Sequence, residues 1–174
     1  MNSPNSKQQL FDRWAPFYDF WFPSVLYQAT HQRLLEYVEL PEDPNVLDIS
    51  CGTGRLLNRL AAAYPSLQGT GLDFSAAMLR QARRSNHHRP RLIFVQGHAA
   101  PLRFTDQQLD AIFNTLSVLH YPEPRRVLAE ICRVLRPGGI FYWVDQPPIP
   151  RQGLGTCQPL PMGLGFIAQK FVSK

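Results

Sequence analysis

One stretch limits the fold more than any other: Val46-Leu47-Asp48-Ile49-Ser50-Cys51-Gly52-Thr53-Gly54, followed by Gly71-Leu72-Asp73. A short apolar run ends in an acid and a glycine-bearing turn, and a helical pattern then starts. A second apolar run ends in another acid about 20 residues past the last glycine. Gly52 and Gly54 carry no Cβ, so the backbone there can adopt unusual dihedrals and lie close to a ligand. The helix opening near Thr53 aims unpaired N–H groups at whatever rests on the turn, which favours an anionic group. Asp73, ending the second strand, can accept both hydroxyls of a ribose. This is the first half of a nucleotide-binding α/β sheet; a purely structural strand-turn-helix leaves the two acids at these spacings to coincidence.

A dinucleotide turn needs a third glycine where helix and strand pack closely, and Leu57 stands there, so the pyrophosphate fingerprint is incomplete and a dehydrogenase is disfavoured. No Gly-Lys-Ser/Thr follows the turn, so it is not a P-loop either.

From Asn45 onward strands and helices alternate. Strands are expected at Val46 to Ile49, Gly69 to Asp73, Leu92 to Val95, Ala111 to Asn114 and Ile140 to Val144. Helices are expected over Arg55 to Tyr64, after a Ser75 cap, and along Val127, Leu128, Ile131, Val134 and Leu135, where Pro137-Gly138-Gly139 stops the last one. Strands separated by helices imply right-handed crossovers, a doubly wound and mainly parallel Rossmann-like sheet, and ligands at the carboxyl ends of the strands. Before the sheet, residues 7 to 40 read as two helices, the second opening at Pro23-Ser24; their aromatic density suits packing on the sheet or a lid over the site. After Gln146 the prolines break regular structure, and at most Leu164 to Val172 adds one strand or a short helix. The expected organisation is a helical lid over 1–44, a binding domain over 45–146 and a proline- and glycine-rich tail over 147–174, with an incomplete sheet edge open to self-association.

The 174 residues suffice for one domain with a core. Met1 to Gln9 is polar, so no signal peptide is expected, and no apolar run reaches the roughly 18 residues of a membrane span. Three cysteines without paired spacing argue against a disulfide framework and a zinc site, so no metal is expected and the cytoplasm is the default. Cys51 reads as a small packing residue. The net charge of +5 is densest at Arg80, Arg83, Arg84, Arg89 and Arg91, which suits phosphate binding or a solvated helix end. No aromatic residues interleave with these arginines to stack bases.

The segment Asp48-Ile49-Ser50-Cys51-Gly52-Thr53-Gly54 resembles motif I of the class I S-adenosylmethionine-dependent methyltransferases. The resemblance continues through Leu72-Asp73-Phe74-Ser75, Val95 to Phe104, Leu109 to Asn114 and Val118-Leu119-His120-Tyr121, and ends at Leu135-Arg136-Pro137-Gly138-Gly139. It covers residues 9 to 146 and is nearest the ubiquinone/menaquinone-biosynthesis-like (methyltransferase type 11) branch, whose opening Ala15-Pro16-Phe17-Tyr18-Asp19 resembles. Relative to that family the chain reads as shortened at its C-terminus.

The resemblance implies transfer of a methyl group from S-adenosylmethionine to a small-molecule acceptor. It implies that Ser50, Cys51, Gly52, Thr53 and Gly54 line the methionine and ribose, with Asp48 ordering the turn or reaching the methionine amine through water. Asp73 holds the ribose hydroxyls, and Phe74 and Met78 flank the adenine. Gly97, His98 and Ala99 lie beside the adenine amine, and Asn114 and Thr115 sit beneath the methionine carboxylate or the sulfonium. Tyr18, His120 and Tyr121 line the acceptor pocket, His120 being either a base or a structural residue. Two positions depart from the family. Ser50 replaces a glycine, and His98 replaces an acid; a neutral imidazole can still accept from the adenine amine, whereas a protonated one cannot. A cofactor-binding domain without turnover is the alternative reading. A nucleic-acid methyltransferase is a third, against which Asn114-Thr115-Leu116-Ser117 lacks the Asn/Asp-Pro-Pro-Tyr/Phe signature.

Overall fold

A computed structural model describes residues 22–117, 121–145, 156–160 and 167–173. The elements are α1 (Phe22–Leu35), β1 (Asn45–Ile49), α2 (Arg55–Ala63), β2 (Gln68–Asp73), α3 (Ala76–Arg84), β3 (Leu92–Gln96), β4 (Leu109–Thr115), α4 (Pro124–Val134), β5 (Leu135–Asp145), β6 (Thr156–Leu160) and β7 (Ile167–Val172). All seven strands form one sheet in the order β3-β2-β1-β4-β5-β7-β6. The first five are parallel, and the last two are antiparallel to their neighbours. The order reverses between β1 and β4, which opens a crevice beyond their carboxyl ends.

β1 and β4 read as apolar runs because both of their faces are covered. Alternate residues divide the core. Val46, Phe113 and Tyr142 pack with Leu34 of α1, Leu56 and Leu60 of α2 and Leu79 of α3. Leu47, Ile112, Phe141 and Trp143 pack with Val127, Ile131 and Val134 of α4. The Phe113 and Tyr142 rings stack with centroids 5.0 Å apart. Ser75 caps α3 by accepting from the Met78 N–H at 3.2 Å.

Three segments depart from the sequence expectation. The second N-terminal helix stops at Leu35 rather than near residue 40. Tertiary hydrogen bonds take up the backbone beyond it: the Tyr64 hydroxyl donates to Val38 O at 2.8 Å, and the Tyr142 hydroxyl accepts from the Glu39 N–H at 2.8 Å and donates to Glu39 O at 3.1 Å. Pro137-Gly138-Gly139 does not stop a helix; it lies inside β5, whose Leu135 pairs with Leu109 and whose Ile140 pairs with Ala111. The surplus residues bulge there, with Gly138 at φ 79, and Ser173 closes on the bulge through Gly138 N (3.0 Å) and Gly139 O (2.8 Å). The tail supplies two strands where at most one was expected, so β7 covers the edge of β5. Pro159 lies on β6, the outermost strand, where proline is tolerated in a sheet.

Candidate active site

β1 ends at Ile49, and the chain then turns through three left-handed residues: Ser50 (φ 62), Gly52 (φ 53) and Gly54 (φ 75). The turn is fastened to β2 by the Cys51 N–H, which donates to Leu72 O at 3.0 Å. Asp73 fastens it a second time. One carboxylate oxygen accepts from the Gly52 N–H and the other from the Ser75 N–H, each at 2.8 Å. Asp73 therefore points at the glycine turn, and it fixes the start of α3 as well.

The two turn glycines have different tasks. A Cβ on Gly52 would meet nothing within 4 Å, so that side of the turn is open. A Cβ on Gly54 would lie 2.7 Å from the Phe94 ring, and one on Gly71 would lie 2.5 Å from it and 2.8 Å from Cys51 Sγ. Gly54 and Gly71 make room for Phe94, and Leu57 is buried in the core beneath. The close helix-strand packing assigned to a third glycine is thus provided from elsewhere.

Asp48 lies under the turn, 1% exposed, and neither carboxyl oxygen has a hydrogen-bond partner. Burial first, then the charge of Asp73, raises its pKa well above the usual carboxylate range. Burial, followed by the charges of Asp48 and Asp73, likewise raises the Cys51 thiol, an environment that suppresses the nucleophilic thiolate.

Tyr121 is the hub of a polar cluster beside the turn. Its hydroxyl oxygen lies 2.5 Å from Asn114 Nδ2, 2.8 Å from Ser117 Oγ and 3.0 Å from Ser50 Oγ. Ser117 donates to Asn114 Oδ1 at 2.9 Å, which fixes the order of protons: Ser50 and the Asn114 amide donate to Tyr121, and Tyr121 donates to Ser117. Burial pushes the phenol up to about 12, against the pull of its hydrogen bonds with Ser117, Ser50 and Asn114. The serine in place of glycine is thereby explained: its left-handed backbone costs about 1–2 kcal/mol and its hydroxyl bond recovers about 1. Ser50→Gly is expected to leave stability within about 1 kcal/mol of the parent, because relief and loss largely offset. Ser50→Ala keeps the strain and loses the bond, and should be about 1 kcal/mol less stable by urea unfolding.

His31 belongs to none of the sequence motifs. It projects from α1 to the end of β4, with Nε2 3.3 Å from Thr115 Oγ1, while Nδ1 is buried without a partner. α1 is tied to α2 by the Arg59 guanidinium, which donates to Gln28 O at 2.7 Å. Burial, then the charges of Arg59 and Arg55, lower the His31 pKa to about 4. The unfolded chain binds a proton at this residue below about pH 6.5 and the folded chain does not, so stability is lost as the pH falls from 6.5 towards 4, by roughly 3 kcal/mol. Asp48, with its raised pKa, acts in the opposite sense over the same range. The histidine contribution is therefore read as the difference between parent and His31→Gln stability profiles: between pH 6.5 and pH 4 the parent should lose roughly 3 kcal/mol relative to the variant.

At the other end of the crevice, the Gly97 N–H donates to Asp73 O at 3.0 Å and places His98 and Ala99 beside the end of β2. His98 is exposed, Phe74 and Ala99 are half-buried, and Met78 and Thr53 are buried. The structure thus gathers Asp48, the turn from Ser50 to Gly54, Asp73, Asn114, Thr115 and Tyr121 around the carboxyl ends of β1, β2 and β4. Tyr18 and His120 lie outside the described residues. The basic run is used locally: Arg83 donates to Phe94 O, Arg89 to Arg83 O, and Arg91 to the Ala61, Tyr64 and Leu67 carbonyls. Among the described residues no group of three or more His, Cys, Asp or Glu is placed to hold a metal ion. No described helix is long and apolar enough to cross a membrane.

A glycine turn clamped by an acid at the end of the neighbouring strand is the binding end of a doubly wound nucleotide fold, and comparison with known proteins narrows the class. The model of the methyltransferase domain family matches residues 46–139, more than half of the chain, and the chain belongs to that family. It is 36% identical over 137 residues to the 2-phytyl-1,4-naphtoquinone methyltransferase of Thermosynechococcus vestitus, covering 76% of this chain and 60% of that protein. It is 39% identical over 107 residues to the fatty-acid O-methyltransferase of Mycolicibacterium smegmatis, covering 62% of this chain and 39% of that protein. A methyltransferase of Haloferax volcanii, solved in complex with the Trm112 activator, superposes with a TM-score of 0.72 at 29% identity, covering 78% of this chain and 59% of that one. The chain thus spans about two fifths to three fifths of the length of these relatives.

Proposed function

We propose that the chain is a methyltransferase domain that holds S-adenosylmethionine at the turn from Ser50 to Gly54 and directs its methyl group to a small-molecule acceptor. The observation that carries this reading is the Asp73 carboxylate aimed at Gly52, beneath open space. Its two oxygens accept from the Gly52 and Ser75 N–H groups, and a carboxylate at the end of the second strand is the kind of acceptor that ribose hydroxyls require. Asp48 adds a buried carboxyl with no partner, which suits the ammonium end of the cofactor, directly or through water.

When bound, the sulfonium supplies an activated methyl group: an acceptor electron pair forms the new bond to carbon, the S–C pair stays on sulfur as S-adenosylhomocysteine, and the acceptor releases a proton. The protein's part is to orient and to exclude water, and orientation alone is worth about 7–11 kcal/mol of the barrier. Phe74 and Met78 flank the adenine, with Gly97, His98 and Ala99 along its edge. Ser50, Cys51, Thr53 and Gly54 shape the methionine and ribose walls, and Asn114 and Thr115 line the floor near the sulfur. The Tyr121 hydroxyl already has three partners, so it braces the wall between Ser50 and Asn114. Residues 1–44 act as the lid, bringing Tyr18 to the acceptor, and His120 and Tyr121 complete that side. Residues 45–146 form the binding domain, and the working location is the cytoplasm.

The kinds of acceptor named for the relatives, a naphthoquinone and a fatty acid, suit an apolar molecule bearing an oxygen. Calorimetry of the chain with S-adenosylmethionine and S-adenosylhomocysteine tests the proposal. Micromolar binding of both is expected, and absence of binding defeats it. Binding without transfer to any acceptor returns the reading to a cofactor-binding domain.

A further inference from the structure

The residue left over by this account is His31. Buried histidines ordinarily have partners at both nitrogens, and an unpaired buried polar atom is costly. Here Nε2 faces Thr115 Oγ1, whereas Nδ1 has none. The ring stands over the carboxyl end of β4, the strand that abuts β1 where the turn begins. Its position is held from both sides, by Thr115 below and by the Arg59–Gln28 link that fixes α1 on α2.

We propose that His31 Nδ1 is the hydrogen-bond partner of an oxygen on the methyl acceptor. This rests on the methyltransferase reading above and adds the chemistry of the second substrate. The charged groups acting on the ring are Arg55 and Arg59 of α2, and Thr115 faces it from β4. Two guanidinium charges repel a cationic ligand atom, so the ammonium of the cofactor is the wrong partner for Nδ1. They favour an oxygen that is neutral or carries negative charge: a hydroxyl, a carbonyl or a carboxylate. The same charges, with burial, keep the imidazole neutral. A neutral ring does not add a further charge beside the sulfonium. The Thr115 hydroxyl can donate to Nε2 or accept from it, so Nδ1 can present either a proton to a carbonyl or a lone pair to a hydroxyl.

The experiment uses two amides that divide the ring's functions. Asparagine places its polar atoms near the position of Nδ1, and glutamine places its own near Nε2. Binding of 1,4-naphthalenediol and of octanoate is measured by calorimetry on the full chain saturated with S-adenosylhomocysteine, whose own affinity is determined separately for each variant. The parent is expected to bind at least one probe. His31→Asn should keep that affinity within about threefold, and His31→Gln should lower it at least tenfold, with S-adenosylhomocysteine affinity within about twofold of the parent in both. A purely structural histidine gives the reverse order, because glutamine preserves the Thr115 contact and asparagine does not. That order, or failure of the parent to bind either probe, overturns the proposal. Loss of S-adenosylhomocysteine binding by the parent defeats the methyltransferase reading itself, a separate outcome.

Discussion

Asp73→Ala is expected to weaken S-adenosylhomocysteine binding at least a hundredfold, about 2.7 kcal/mol or more, and to lower the thermal midpoint with it. The carboxylate accepts from the Gly52 and Ser75 N–H groups at 2.8 Å, and charge-assisted bonds of this kind contribute about 1.5–3 kcal/mol each. Ser75 is buried, and its N–H loses the carboxylate oxygen to which it donates. The ribose hydroxyls lose their acceptor in the same step. Asp73→Asn separates the two effects. Its amide retains one acceptor oxygen but sets an NH₂ against one backbone N–H, so an intermediate loss is expected. Calorimetry beside thermal unfolding distinguishes the roles: Asp73→Ala protein that is less stable yet binds within threefold of the parent reduces Asp73 to a structural clamp.

The second large effect is on stability and lies behind the turn. Gly71→Ala should destabilise the fold by about 3 kcal/mol, the upper part of the range for an overpacked core. Gly71 has no left-handed backbone to protect, so the whole penalty is spatial. The new Cβ would stand 2.5 Å from Phe94 Cδ1 and 2.8 Å from Cys51 Sγ, inside a strand paired on both sides. Adding Phe94→Leu removes the ring that causes the clash. The double variant is therefore expected to be more stable than the sum of the single changes by about 1–3 kcal/mol in a urea-unfolding cycle. Strict additivity places the Phe94 ring elsewhere.

The parts of the fold that could be read from sequence are those where local pattern and tertiary demand coincide. The buried parallel strands appear as apolar runs ending at acids or glycines, and the boundaries of β1, β2 and β3 fall within a residue or so of the pattern. Ser75 reads as a cap because its partner is three residues away. What escaped depends on distant partners. The serine at position 50 looks like a defect until Tyr121, 71 residues on, supplies its hydrogen bond. Gly54 and Gly71 look like ligand-side or neutral residues until Phe94 is placed against both. His31 sits in a helix whose sequence pattern shows only its apolar residues, and nothing local marks one ring nitrogen as unpaired. The prolines of the tail suggested disruption because proline forbids interior strands; only the sheet order shows that Pro159 lies on an outer one.

The two tyrosine hydroxyls that grip Val38 and Glu39 also tie the segment between α1 and β1 to the body of the fold. They anchor the chain just past α1, Tyr64 from the end of α2 and Tyr142 from the middle of β5. The contacts that hold α1 itself are others: His31 against Thr115, and Arg59 on Gln28. Neither contact involves β1 or its glycine turn, so α1 and the turn are fastened by separate sets of bonds.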